Sequence, residues 1–133
     1  MIFKKIFFKI FILTLFCLNS FSEEIEIEST NINVVDDGKI VLANNAQIIV
    51  PTEKIKIKSD LAKYEKTKNI ITFTKNVLLD DRKNEVIIDG DFIKYERKKN
   101  LIYSKGKTKL QIKDKYKVNS KNIFYIRDLK KLY

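Results

Sequence analysis

Few side chains in this sequence could carry chemistry, and their types narrow what that chemistry is. The chain has no histidine and one cysteine, Cys17. Without them the usual zinc and copper sites are closed off, and so are histidine-based triads and acid/base pairs. Paired carboxylates occur as Asp36-Asp37 and Asp80-Asp81, close to Gly38 and Asn84. In that company they satisfy turn backbone sooner than they hold a metal. No catalytic residue, metal or cofactor is therefore expected. What remains is recognition. Lys105, Lys107, Lys109, Lys113, Lys115 and Lys117 are spaced to meet phosphate groups, although solvated outward lysines explain the cluster nearly as well.

The tyrosines supply the second pattern. Ile57-Lys58-Ser59-Asp60-Leu61-Ala62-Lys63-Tyr64 returns as Ile88-Asp89-Gly90-Asp91-Phe92-Ile93-Lys94-Tyr95. It returns once more, worn down, as Val118-Asn119-Ser120-Lys121-Asn122-Ile123-Phe124-Tyr125. The tyrosines are 31 and then 30 residues apart, and Glu65-Lys66-Thr67-Lys68-Asn69 is matched by Glu96-Arg97-Lys98-Lys99-Asn100. A fixed period in this range marks stacked units that complete one another's core. A weaker copy precedes these, with Asp36-Asp37-Gly38-Lys39 in place of the lysine-rich turn.

The elements that position these residues read as strands. No window after residue 23 sustains apolar residues at helical spacing, while alternation at period two is frequent. Ile25-Glu26-Ile27-Glu28 and Ile55-Lys56-Ile57-Lys58 each put isoleucine on one face and charge on the other. Further strands are expected over 38–42, 46–50, 70–74, 77–79, 85–88, 101–104, 108–112 and 116–118. Turns are expected at 36–38, 44–45, 66–69, 80–84, 98–100, 113–115 and 128–131. Pro51 falls between two strands. Within each copy the apolar phase slips by one residue, as from Ser59 to Ala62, which a β-bulge or corner produces. The expected fold is all-β.

Residues 1–22 read as an export leader. Lys4 and Lys5 start it, residues 10–18 are apolar, and Ser20-Phe21-Ser22 gives a small-x-small cleavage pattern. Only 13 uncharged residues separate Lys9 from Glu23, against roughly 20 for a spanning helix. Cleavage there leaves one domain, residues 23–133, without cysteine, held by packing and ladders alone. Charge is lopsided, −4 over residues 23–60 and +11 over 61–133. The last repeat runs off at Tyr133, so a longer polypeptide or another molecule is expected to supply the next strand.

At 59–77 and 90–107 the chain resembles the organic-solvent-tolerance (OstA-like) N-terminal family. The carrying pattern is a small residue, an apolar residue and Tyr, then an acid, a Lys/Thr/Asn turn and a β-rich return. That family comprises periplasmic lipopolysaccharide-transport proteins and the N-terminal periplasmic domain of the outer-membrane lipopolysaccharide-assembly protein. The resemblance spans about residues 25–133 and implies a β-jellyroll or open twisted roll of stacked hairpins. It favours a partial version of that N-terminal domain, with the stand-alone bridge protein close behind. It further implies a non-catalytic periplasmic role: lipid A acyl chains pass along an apolar groove, and partner jellyrolls and the outer-membrane assembly complex join by edge-strand addition. The implied groove lining is Ile57, Ala62, Tyr64, Ile71, Phe73, Val86, Ile88, Ile93, Tyr95, Ile102, Val118, Ile123 and Tyr125. The same residues also suit an ordinary closed core.

Two other classes stay open on the residues alone. A structural β-solenoid would fill the groove with side chains. Lysine interleaved with Tyr and Phe on a sheet suits single-stranded nucleic acid, a partner that the export leader argues against.

Overall fold

The computed structural model describes residues 24–128 and 131–133. The expected leader lies outside them. Alternating sequence produces β1 (Glu26–Glu28), β2 (Asn31–Val35), β3 (Ile40–Val50), β4 (Ile55–Glu65), β5 (Ile70–Asp81), β6 (Val86–Glu96), β7 (Leu101–Ile112), β8 (Tyr116–Ile126) and β9 (Lys131–Leu132). All join one antiparallel sheet in the order β1-β3-β4-β5-β6-β7-β8-β9, with β2 also paired to β3. The remaining helical character among the described residues is two single 3-10 turns, Pro51–Glu53 and Arg97–Lys99, each closed by a left-handed residue, Lys54 and Asn100. Pro51 opens its turn, where its fixed φ helps and a missing N–H costs nothing. The all-β expectation therefore holds.

The strands are longer than alternation alone indicates. Segments 70–74 and 77–79 are one strand, β5, bent at Lys75 and Asn76, whose φ angles are 67° and 50°. Segments 101–104 and 108–112 are likewise one strand, β7, bent at Gly106 with φ 84°. Asn44-Asn45, read as a turn, lies inside β3, with Asn45 at φ 48°. Pairing slips between Lys58 and Leu61, Thr74 and Val77, Gly90 and Ile93, and Lys105 and Thr108. The expected phase slip is thus a column of bulges crossing the sheet. In β4, β6 and β8 a small residue, Ser59, Gly90 or Ser120, marks the bulge. Ser59 and Ser120 donate to the carbonyls of Leu61 and Asn122, two residues on, at 2.8 and 2.9 Å. A Cβ on Gly90 would sit 3.4 Å from Thr108 Oγ1.

The bulges fold the sheet over itself. Glu53 follows the C-terminal end of β3, whereas Tyr95 lies at the C-terminal end of β6. In a flat antiparallel sheet these are opposite ends of strands about 14 Å apart, three steps of about 4.8 Å. Yet the Tyr95 hydroxyl donates to the Glu53 carboxylate. Likewise Asp81, ending β5, contacts Arg127, just past β8. Both contacts require each long strand to bend at its bulge, so that its two halves belong to facing layers. Between the layers lies one apolar cluster that includes Ile48, Ile57, Phe73, Leu79, Ile88, Ile93, Tyr95, Ile102, Leu110 and Ile123.

The stagger between layers leaves the ends of the roll uncovered. Ile32 and Val34 of β2 pair with buried Ala43 and Val41, yet are 47% and 54% exposed. At the other end Tyr116 of β8 is 65% exposed. β9 and Tyr133 pair only with Phe124, Tyr125 and Ile126, so no described strand adds to the free side of residues 116–121.

Candidate functional site

The interior is assembled from period-two positions on both sides of the bulge column. Ile57, Ile71, Phe73, Ile88, Ile93, Tyr95 and Ile102 are fully buried, and Ala62, Val86, Ile123 and Tyr125 are nearly so. Tyr64 and Val118 are partly buried against the same cluster. The alternative phase points outward: Leu61 is exposed, Phe92 half-buried and Asn122 exposed. All the candidate lining residues are thus brought together on the inner faces. There they pack against one another as a filled core instead of bordering an open slot.

The candidate lysines are not gathered at a site. Lys105, Lys107, Lys109, Lys113, Lys115 and Lys117 are all exposed, spread over β7, β8 and their connecting turn. Among the described residues no cluster of His, Cys, Asp or Glu could hold a metal, and no helix is long and apolar enough to cross a membrane.

The structured polar site lies where the two layers meet, along a seam formed by the strand ends. Arg97 follows β6 and reaches the Glu53 carboxylate through Nε at 3.0 Å and Nη2 at 2.9 Å, while Nη1 donates to Asn69 Oδ1 at 2.9 Å. Arg127 follows β8 and grips Asp81 through Nε at 2.8 Å and Nη2 at 3.2 Å. It also donates to the Tyr95 hydroxyl at 2.9 Å and to the Glu53 carbonyl at 2.8 Å. Its guanidinium stands 5.8 Å from the Tyr95 ring centre. Tyr125 donates to Asp81 at 3.3 Å, and the Asn84 side-chain amide to the same oxygen at 2.8 Å. No buried side-chain nitrogen or oxygen among the described residues lacks a partner.

Electrostatics follow from this packing. Burial alone would push the Asp81 carboxyl up, but hydrogen bonds from Arg127 and Asn84 and the Arg127 charge outweigh it and hold it below the ordinary carboxylate range. Burial raises the Tyr95 and Tyr125 phenols, helped by Glu53 and Asp81 respectively. Both arginines are almost fully buried, and Asp81 completely so. A polar cavity of about 410 Å³ sits on the outer side of the seam, bordered by Thr52, Lys83, Lys98, Asn100 and Asp128 as well as the two arginines.

Sequence reasoning missed this seam. Asp81 does hold the Asn84 backbone at 3.3 Å, as a turn carboxylate should, but its larger role is long-range. A signal was present: the chain has just three arginines, and two of them, Arg97 and Arg127, follow a repeat tyrosine by two residues. Arginine is the cation suited to buried, forked carboxylate pairing. The equivalent of the first copy is Lys66, which is exposed.

No protein-family model matches the chain, and no curated protein does. Among solved structures, the chain is similar to LptH from Pseudomonas aeruginosa, described as the LptA-homologous periplasmic component of the conserved lipopolysaccharide transport device. The superposition has a TM-score of 0.73 at 11% identity and covers 84% of this chain and 81% of that one. This likeness establishes the architecture: an open, twisted antiparallel β-roll of the kind seen in LptH.

Proposed function

We propose that this chain is a non-catalytic, periplasmic lipopolysaccharide-transport component that lodges acyl chains between the inner faces of its folded sheet. The observation that carries the reading is a fold like that of LptH enclosing one continuous apolar interior. A lipid carrier needs no reactive group, only shape and apolar lining. Because the interior is filled, acyl chains enter by displacing the contacts between layers, and Phe73 and the isoleucines around it change neighbours. Partners join at the staggered ends. The free side of residues 116–121 and the uncovered faces of Ile32 and Val34 offer backbone donors and acceptors together with apolar cover, as strand addition requires.

The test is photocrosslinking in an outer-membrane-bearing host. A photoreactive residue at Phe73 or Ile123 is expected to give lipopolysaccharide adducts, while the same probe at outward Lys56 or Lys63 gives none. A second reading has its own support: the complete burial of Ile57, Phe73 and Ile88 suits a structural roll that never admits lipid. Folded protein without adducts at any interior probe would select that reading.

A further inference from the structure

The seam joins two chemistries. Tyr95 and Tyr125 belong to the apolar cluster, yet their hydroxyls bond to the carboxylates that pair with Arg97 and Arg127. Directly outside lies the polar cavity, with Lys83 and Lys98 on its rim. A ligand fitting both sides would carry an anionic head on apolar tails. Resting on the lipid-carrier reading above, we propose that the seam is a lateral gate for phosphate-bearing acyl lipids. When it opens, Arg97 and Arg127 exchange Glu53 and Asp81 for lipid phosphates.

The physical reasons are specific. A guanidinium fork binds phosphate in the same two-bonded geometry as carboxylate. Breaking a buried ion pair without replacement strands its charges, so the gate stays shut against purely apolar molecules. A phosphate supplies the replacement at the moment of opening. The two rungs, Glu53–Arg97 and Asp81–Arg127, lie one repeat apart, so a headgroup with two phosphates is the natural key. Gating also fits the placement of the pairs. They tie the ends of strands that are not neighbours in the sheet, so parting the layers breaks them without breaking a strand ladder.

The test straps the seam without touching the arginines or their carboxylates. Thr52 and Lys98 border the cavity on its two sides and are exposed. The full chain carrying Cys17→Ser, Thr52→Cys and Lys98→Cys is bridged with a thiol-specific linker that a reductant cleaves, with a photoreactive residue at Phe73. A second strap uses Lys83→Cys with Asp128→Cys. The probe ligands are detergent-dispersed diphosphoryl lipid A and its phosphate-free counterpart. Strapping is expected to lower Phe73 adducts about tenfold, and cleaving the linker to restore them; loss of phosphates is expected to cost the unstrapped protein a similar factor, the size of one charge-assisted hydrogen bond. Equal labelling of strapped and unstrapped protein would overturn the gate and place lipid admission at the open ends of the roll. Equal labelling by the phosphate-free lipid would overturn the exchange at the arginines. Absence of adducts from every form would remove the carrier reading itself, and the gate with it.

Discussion

Replacing Asp81 by leucine should be among the most damaging single changes in this protein, and replacing its partner as well should repair much of the loss. Asp81 is completely buried and accepts from Arg127, Asn84 and Tyr125. Asp81→Leu leaves the nearly buried Arg127 guanidinium with the Tyr95 hydroxyl, the Glu53 carbonyl and a longer 3.6 Å approach to the Glu53 carboxylate, which Arg97 already holds; losing its own forked carboxylate partner there costs about 3–5 kcal/mol. Arg127→Met strands the carboxylate at a similar cost, whereas the double variant, with neither charge, should lose no more than about 2 kcal/mol. The coupling is then several kcal/mol. With a urea slope of about 1–2 kcal/mol/M for a domain of this size, either single variant should move the midpoint down by about 2–3 M. The assay is urea unfolding of the four proteins of the cycle. Lys94 and Glu96, 3.0 Å apart and both half-buried on the outer face, serve as control, and pairs that water still reaches couple by about 0.2–1 kcal/mol. Coupling at Asp81–Arg127 no larger than at Lys94–Glu96 would refute the seam as a structural clasp.

Other consequences follow from particular residues. Phe73→Ala, at a fully buried site, should cost about 3–5 kcal/mol, while Phe124→Ala, 45% exposed on the outer face, should cost well under half of that in the same unfolding assay. Acid stability should depend on Asp81. Its folded carboxyl sits below its unfolded value, so its contribution is complete above about pH 4 and disappears as pH falls through the folded value; thermal melts of Asp81→Asn should show a shallower decline below pH 4 than the parent. Lys75 and Gly106 occupy equivalent bends at φ 67° and 84°. Lys75→Gly should therefore stabilise by roughly 0.5–1 kcal/mol and Gly106→Ala destabilise by about 1 kcal/mol or more, both read by denaturant midpoint.

Much of the fold was legible because period two is a local property. Ile57 with Ala62, Ile88 with Ile93, and Val118 with Ile123 reveal both the inward face and its one-residue slip, and the structure places these residues on one inner side. Strand continuity was harder to read. Lys75-Asn76 and Lys105-Gly106-Lys107 have turn composition, yet the chain passes through them within β5 and β7, because the neighbouring strands bend at the same level and keep the ladders paired. The seam escaped for a different reason. Glu53–Arg97 and Asp81–Arg127 are 44 and 46 residues apart, and no local period links a residue to one three strands away across a folded sheet. Only the choice of arginine over lysine after Tyr95 and Tyr125 left a mark. Nor could sequence decide whether the interior is filled, since a closed core and a lipid path use the same isoleucines.

The central claim is that acyl chains lie between the inner faces. The most direct measurement is methyl NMR on deuterated protein with labelled isoleucine methyls, titrated with lipopolysaccharide dispersed in deuterated detergent. The account predicts nuclear Overhauser contacts from acyl protons to Ile57, Ile88, Ile93 and Ile102, which are wholly buried in the free protein, and none to Ile87, which faces outward and is 38% exposed. Contacts confined to Ile87 and the exposed Ile32, with the buried methyls unmoved at saturating lipid, would contradict it.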